Sequence, residues 1–388
     1  MRYDEKDFQI LKKVLKNNKI STSNSKDSIT REFEHKFSKL LNINYALGIS
    51  SGTAGLHIAL LSCGTKAGDE VLVDPLFQFG TLATLYCNAI PVFYDVDIDT
   101  YMPTIDMIKE KVTERTKAII VTNIFGCTPN LEKIRKICDD NHIFLIEDCA
   151  HSLLCEYNGK MAGTYGHFGV FSFQSSKHLS LGDGGMIVTN DYTLHRNALL
   201  LHSHGTSSNI PDINGANLNL GWMYRISELV SAVGISQLDK ISIIIDYHKY
   251  VGNYLNSILN SHEIIKQKSL YSNHVYWRWV ARIKNPKLYE ILEEKFVGNN
   301  LIKFGLNRKT TVNDSLLLKK LKDKNTFNCP YDCIFAADNN KKNIELSNAN
   351  RLVKESFYIK ISYEISLFEY EKIAFKINET VKEFNKNS

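Results

Sequence analysis

No apolar run in the sequence approaches the roughly 18 residues needed to cross a membrane, so no spanning helix is expected. The eight cysteines, at 63, 87, 127, 138, 149, 155, 329 and 333, include no CxxC pair of the kind used by zinc or dithiol redox sites. The opening MRYDEKDFQILKKVLKNN reads as a charged amphipathic helix without the apolar core and cleavage site of a signal peptide. A reducing, cytoplasmic setting is the expectation. A basic block is also missing: the formal charge of +5 is spread along the chain, which does not indicate nucleic-acid binding. Internal repeats are absent, and a Ser/Asn-rich connector from Ser21 to Ser28 is the one biased tract.

What is present is an ordinary globular composition, 44% hydrophobic and 23% charged over 388 residues. That length suits one large domain and a smaller one, because single cores stop growing at roughly 250 to 300 residues. From Tyr45 onward short apolar runs alternate with helical patterns. YALGI precedes a helix from Thr53, EVLVD precedes Thr81 to Asn88, PVFYDVD precedes Ile105 to Val112, AIIVT precedes Leu131 to Asn141, and IFLIED follows. Such alternation predicts an α/β fold with a mostly parallel sheet between helices. Past residue 245 the pattern changes to a helix, the strand-like HVYWRWVARI and a final helix after Ser366. The predicted division is therefore 1–245 for the large domain and 246–388 for a smaller α+β domain, with the first helix free to pack on the latter.

Three sites fall at the edge where such a sheet binds ligands, outside the carboxyl ends of its strands. Asp148 ends IFLIED and is followed closely by His151. Ser51, Gly52 and Thr53 lead a strand into a helix, where exposed N–H groups and the helix dipole favour an anion. Lys177 lies in the polar loop QSSKHLSLGDG between the strands GVFSF and GMIVT, with Gly182, Gly184 and Gly185 nearby. A buried lysine with a lowered pKa is a nucleophile suited to Schiff-base chemistry. Each site alone also has a plain structural reading, as a strand-end cap, a helix N-cap and a solvated loop lysine.

Taken in order, SGTAGL, EDCAHS and SFQSSKHLSLGDGG resemble the DegT/StrS family of sugar aminotransferases, within the aspartate-aminotransferase-like fold type I. EVLVDPLFQF, PVFYDVD, RTKAIIVTNIFG, GWMYRISELVSAVGISQL and the C-terminal NANRLVKESFYIKISYEISLFEYEKI extend the likeness over nearly the whole chain. The resemblance implies pyridoxal 5′-phosphate as cofactor and Lys177 as its Schiff-base lysine, five residues after Ser172. It implies that Asp148 pairs with the pyridinium nitrogen, that His151 packs over the ring, and that Phe79 lies on the other side. The phosphate falls to Thr53, Ala54 and Ser172, with Gly52 allowing close approach. Glutamate is the implied donor, a nucleotide-linked keto-deoxy sugar the implied acceptor, and a homodimer with its site at the interface the implied assembly. No metal is implied. Where the family commonly carries a phosphate-binding asparagine supplied by the partner subunit, this chain has Met223, a thioether that cannot replace an amide donor. Asn219 is the nearby substitute.

Four other readings remain open. A related sugar dehydratase uses the same cofactor but carries histidine in place of the lysine, and His178 stands one place out of register. A small phosphorylated ketone could serve as acceptor in place of a nucleotide sugar. From a different class, Asp148, His151, His202 and His204 could form a metal-dependent hydrolase, or the fold could serve a non-catalytic regulatory role.

Overall fold

The computed structural model describes residues 3–18, 20–21, 28–206, 220–306, 310–315, 318–319 and 345–387. The connector from Ser21 and the position of Asn219 lie largely or wholly outside these residues. In chain order the helices are α1 (Glu5–Lys16), α2 (Ile29–Leu41), α3 (Gly52–Ser62), α4 (Phe79–Tyr86), α5 (Ile105–Lys109), α6 (Leu131–Asp140), α7 (Tyr192–Leu201), α8 (Glu228–Leu238), α9 (Ile241–Ile258), α10 (Pro286–Lys295), α11 (Ser347–Glu355) and α12 (Leu367–Asn387). The strands of the large sheet are β1 (Tyr45–Ile49), β2 (Glu70–Val73), β3 (Ile90–Phe93), β4 (Thr116–Thr122), β5 (Phe144–Asp148), β8 (Phe168–Ser172) and β9 (Gly185–Thr189). A small hairpin, β6 (Glu156–Tyr157) and β7 (Lys160–Met161), interrupts them.

The sheet runs β1-β9-β8-β5-β4-β2-β3. Strands β3, β2, β4, β5 and β8 are mutually parallel, and β9 pairs antiparallel with both β8 and β1. Parallel strands covered on both faces bury every side chain, which explains why all four residues of β2 are buried: Val71, Leu72 and Val73 are apolar, and Glu70 at the start is paired with Arg115 at 2.6 Å. Helix α3 lies close on the sheet because residue 55 is glycine: a Cβ there would stand 2.4 Å from Ile49 Cδ1 and 2.7 Å from Val170 Cγ1. The predicted α/β architecture is the one found. The expected helix from Ile105 ends early, at Lys109, because Lys111 and Val112 N–H turn to the tighter partners Ile108 and Lys109.

The second sheet is antiparallel, β10 (Ile264–Lys266), β11 (Arg278–Ile283), β13 (Ser356–Lys360) and β12 (Ile302–Phe304) in spatial order. Its core contains Trp279, Phe357, Leu288 and Tyr370, drawn from the sheet, α10 and α12. Helix α9 runs through position 245, with Ile241 and Ile245 in one hydrophobic cluster and Val251 and Leu255 in another. Helix α1 packs on α8. It is drawn to α8 by a buried carboxylate, Asp7, which accepts hydrogen bonds from Gln237 Nε2 at 2.9 Å and Lys240 Nζ at 2.9 Å.

Candidate active site

Strand β5 delivers Asp148 to the carboxyl edge of the sheet, where it is buried at 5% exposure. Its Oδ1 accepts the N–H of Ala150 at 3.0 Å. Because side chains alternate along a strand, the preceding Glu147 points to the other face. There it accepts the N–H groups of Gly163 (2.8 Å), Tyr165 (2.8 Å) and Gly166 (2.7 Å) and fixes that loop. Burial raises the pKa of Asp148, opposed by its Ala150 hydrogen bond and by the Lys177 cation.

Lys177 sits in the loop joining β8 to β9. The neck of this loop is tied by Phe173 N–H to Gly184 O (2.9 Å) and Ser175 N–H to Gly182 O (2.9 Å). Lys177 Nζ stands 4.1 Å from the centre of the Trp277 ring, whose Nε1–H donates to Ser176 O at 2.7 Å. Burial pulls the Lys177 pKa down to about 7, Asp148 opposes that shift and the Arg278 cation adds to it. A neutral, nucleophilic amine is thus accessible near neutral pH.

The ring of His151 stacks on Trp277 at 3.6 Å and meets the edge of Phe77 at 5.0 Å. Burial, then the nearby Lys177, Arg278 and His178, keep it well below the usual histidine range and hence neutral. Its Nδ1 is buried without a hydrogen-bond partner among the described residues.

Helix α3 starts beside these groups. Ser51 caps it, its Oγ accepting the Ala54 N–H at 3.1 Å, and Ser51 bridges to Gly184. Ser172, at the end of β8, lies so close that a Cβ on Gly52 would stand 3.0 Å from Ser172 Cβ. The first N–H groups of a helix have no partner within it, so Gly52 and Thr53 offer donors beside the Ser172 hydroxyl.

A cavity of about 410 Å³ joins these parts. It is lined by Gly52, Thr53, Phe79, Asp148, His151, Ser172 and Lys177 among the residues singled out in the sequence. Ala54 does not line it, and its N–H is already given to Ser51. Met223 lies away from the cavity, 52% exposed, with Arg225 Nε donating to its sulfur at 3.3 Å. His178 is buried outside it, with Nε2 3.0 Å from Val275 O. His202 and His204 do not line it either: His202 Nδ1 contacts Leu199 O at 2.7 Å at the end of α7, so the grouping required for a hydrolase metal is not assembled.

The sequence reading missed Trp277 and Arg278, the residue before β11 and its first residue, which line the same cavity from the side of the second sheet. Their signal was an arginine between two tryptophans in the otherwise apolar HVYWRWVARI. Gln78, Gln174 and Asp183 also line the cavity without having been singled out.

A neutralisable lysine, a buried carboxylate, a partnerless imidazole nitrogen and a helix-start anion cradle fit pyridoxal 5′-phosphate. On a sheet of this topology they define a fold type I transferase. The chain belongs to the DegT/DnrJ/EryC1/StrS aminotransferase family, which residues 2–361 match, and it is an aminotransferase. Aminotransferases of this family use pyridoxal 5′-phosphate. GDP-perosamine synthase of Escherichia coli O157:H7 is 33% identical over 254 residues, 65% of this chain and 69% of that protein. The Vibrio cholerae GDP-perosamine synthase is 30% identical, over 63% of this chain and 66% of that protein. The chain thus spans about two thirds of the length of these relatives. Among solved structures, an aminotransferase from Psychrobacter cryohalolentis shares the fold with a TM-score of 0.82 at 22% identity, covering 99% of this chain and 98% of that one. No helix among the described residues is long and apolar enough to cross a membrane.

Proposed function

We propose that the chain moves an amino group from glutamate to a nucleotide-linked keto-deoxy sugar, in the biosynthesis of a surface polysaccharide or other glycan. The observation that carries this reading is the meeting of Lys177 and Asp148 in one cavity beside the start of α3. The resemblance to GDP-perosamine synthases supports a nucleotide-sugar acceptor.

In this reading Lys177 would hold the cofactor through its amine, and Asp148 would serve the ring nitrogen. When bound, the cofactor supplies an electron sink for the carbon that loses its proton. Asp148 holds a negative charge at the ring nitrogen and keeps it protonated. His151, neutral and backed by Trp277, offers a flat face to the ring, and Phe79 closes the opposite side. Gly52 and Thr53 N–H groups with the Ser172 hydroxyl receive the phosphate. Ala54, already bonded to Ser51, drops out of this set. Once freed, Lys177 has a pKa of about 7 that suits taking and returning the substrate proton.

We also place the protein in the cytoplasm as a homodimer, working as two domains divided near residue 245, with the Met223 segment beside the partner's phosphate site and Asn219 as an alternative donor there. The test is a screen of nucleotide-linked keto sugars with glutamate, following 2-oxoglutarate by mass spectrometry. Borohydride reduction and peptide mapping are run in parallel. An adduct on Lys177 with an aminated sugar is expected. Loss of a sugar hydroxyl without amination would instead support a dehydratase, and an adduct elsewhere would overturn the reading.

A further inference from the structure

We propose that His178 is a positioning residue for Lys177: it hydrogen-bonds the segment that carries Trp277 and so sets the lysine amine on the face of the indole. This rests on the aminotransferase reading above. Lys177 stands between two residues that hold the same partner segment. On one side Ser176 O accepts Trp277 Nε1–H at 2.7 Å, and on the other His178 Nε2 lies 3.0 Å from Val275 O. A carbonyl oxygen only accepts, so His178 carries a proton on Nε2 and donates it there. His178 is buried and does not line the cavity, so it acts through its neighbour and not on the substrate.

The segment it grips is held from other directions as well. Val275 N–H donates to Gly126 O at 2.8 Å, and a Cβ on Gly126 would stand 2.7 Å from Tyr276 N, so the two chains meet closely there. From α9, His248 Nδ1 donates to Tyr276 O at 2.9 Å, and its ring meets that of His178 edge-on with centres 4.6 Å apart. Tyr276 has a φ of +45°, a left-handed conformation that a bulky residue keeps only when its surroundings hold it. The two histidines bond the peptide groups on either side of that Cα. Trp277 follows at once, its ring stacked on His151 at 3.6 Å and 4.1 Å from Lys177 Nζ. With this segment fixed, the place of the lysine depends on how its own loop is registered against it. The bond at Ser176 uses a backbone carbonyl and needs no particular side chain, whereas the bond at Val275 depends on the imidazole of His178. Against the indole and away from water, Lys177 has its lowered pKa, with Asp148 opposing the shift and Arg278 adding to it. Released from that face, the amine would regain water and its pKa would rise toward the ordinary lysine range.

The experiment follows covalent capture of pyridoxal phosphate by cofactor-free protein, which joins the lysine amine to the aldehyde carbon and releases one water. Alongside it, the affinity for pyridoxamine phosphate, which has no aldehyde, reports the phosphate cradle and ring site alone. His178→Leu removes the donor, and His178→Gln places an amide N–H near the position of Nε2. In His178→Leu capture should slow by about 10- to 100-fold. Its pH midpoint should rise from about 7 by about one unit or more. Affinity for pyridoxamine phosphate should stay within about twofold of the parent. His178→Gln should bring capture back to within about threefold. His178→Asn, too short to reach Val275 O, should repeat the loss, and it carries the test should the leucine variant fail to fold. Capture unchanged in rate and midpoint overturns the proposal. A parallel loss of pyridoxamine phosphate affinity also overturns it, by making His178 a support of the whole site, as does a glutamine variant no better than leucine. Whether the parent protein captures its cofactor on Lys177 is read first, by borohydride reduction and peptide mapping. Failure there removes both the aminotransferase reading and this inference, whereas failure in the variants alone removes only the latter.

Discussion

Lys177 can attack an aldehyde only as the free amine, and its surroundings favour that form by removing water and placing Arg278 nearby. Because its pKa is lowered to about 7, the neutral fraction rises through neutrality, well below the range of an exposed lysine. The rate at which cofactor-free protein captures pyridoxal phosphate should therefore climb from pH 6 and level off by about pH 8. A stopped-flow absorbance series would show it, and a rate still rising steeply at pH 10 would contradict the buried amine. Asp148→Asn keeps the shape of the side chain and removes its charge. We expect the half-reaction with glutamate to slow by about 100-fold or more while the melting temperature changes little. A lowered melting temperature with an unchanged rate would assign Asp148 a structural cap role. Lys177, Asp148 and His151 were legible because each stands in a short motif at a strand end. Trp277 and Arg278 were not, because they arrive from a strand distant in sequence, and nothing local tells which of its ends meets the cavity.

At the scale of elements, the alternation of apolar runs and helical patterns disclosed the parallel strands, because those strands bury both faces. The reversal of β9 was hidden: a polar loop with no helical period is compatible with a turn back or a crossing, and only the pairing decides. The placement of α1 was hidden too, because it depends on Asp7, a charged residue that reads as solvent-facing until Gln237 and Lys240 are brought to it. The packing of α3 gives a direct test. Gly55→Ala places a methyl group 2.4 Å from Ile49 Cδ1, an overlap that repacking must relieve. Overpacking of this kind costs about 1–3 kcal/mol, to be read as a lower denaturant midpoint at unchanged slope. Gly52→Ala meets Ser172 Cβ at the milder 3.0 Å, so its effect should appear mainly in cofactor affinity.

Across the whole molecule, the loop after β3 joins the two sheets electrostatically. Asp99 Oδ1 accepts from Arg282 at 2.9 Å and Oδ2 from Lys268 at 2.8 Å, while Asp95 caps α11 through the N–H groups of Asn348 and Ala349, each at 3.0 Å. Lys268 and Arg282 hold the Asp99 carboxyl below its usual range. Its stabilising contribution is therefore fully present above the unfolded value of about 4 and is lost as pH falls through the lower folded value. Asp99→Asn should destabilise the protein by about 1.5–3 kcal/mol at pH 7, and the difference should shrink below about pH 4. Paired urea titrations at pH 7 and 3.5 measure it. At the same scale, Met223→Asn should tighten cofactor binding by about one to two decades if that segment meets the partner's phosphate site. Should Asn219 already fill that role, Asn219→Ala would weaken binding instead, and no change in either variant would remove the segment from the phosphate.

The reversed strand β9 also has a consequence in time. Its pairing with β8 closes the lysine loop on itself, a contact between near neighbours that costs little chain entropy and forms early. Its other edge must wait for β1, which belongs to a remote part of the chain, as the pairing of Tyr45 with Thr189 records. The anion cradle at Ser51 and Gly52 stands on the far side of that later joint. On a ribosome, the strand that leads into this cradle emerges first and remains unpaired until Gly185–Thr189 has been made. The lysine loop should therefore gain amide-exchange protection before the cradle does, leaving the cofactor to bind a nearly finished molecule instead of helping to assemble one.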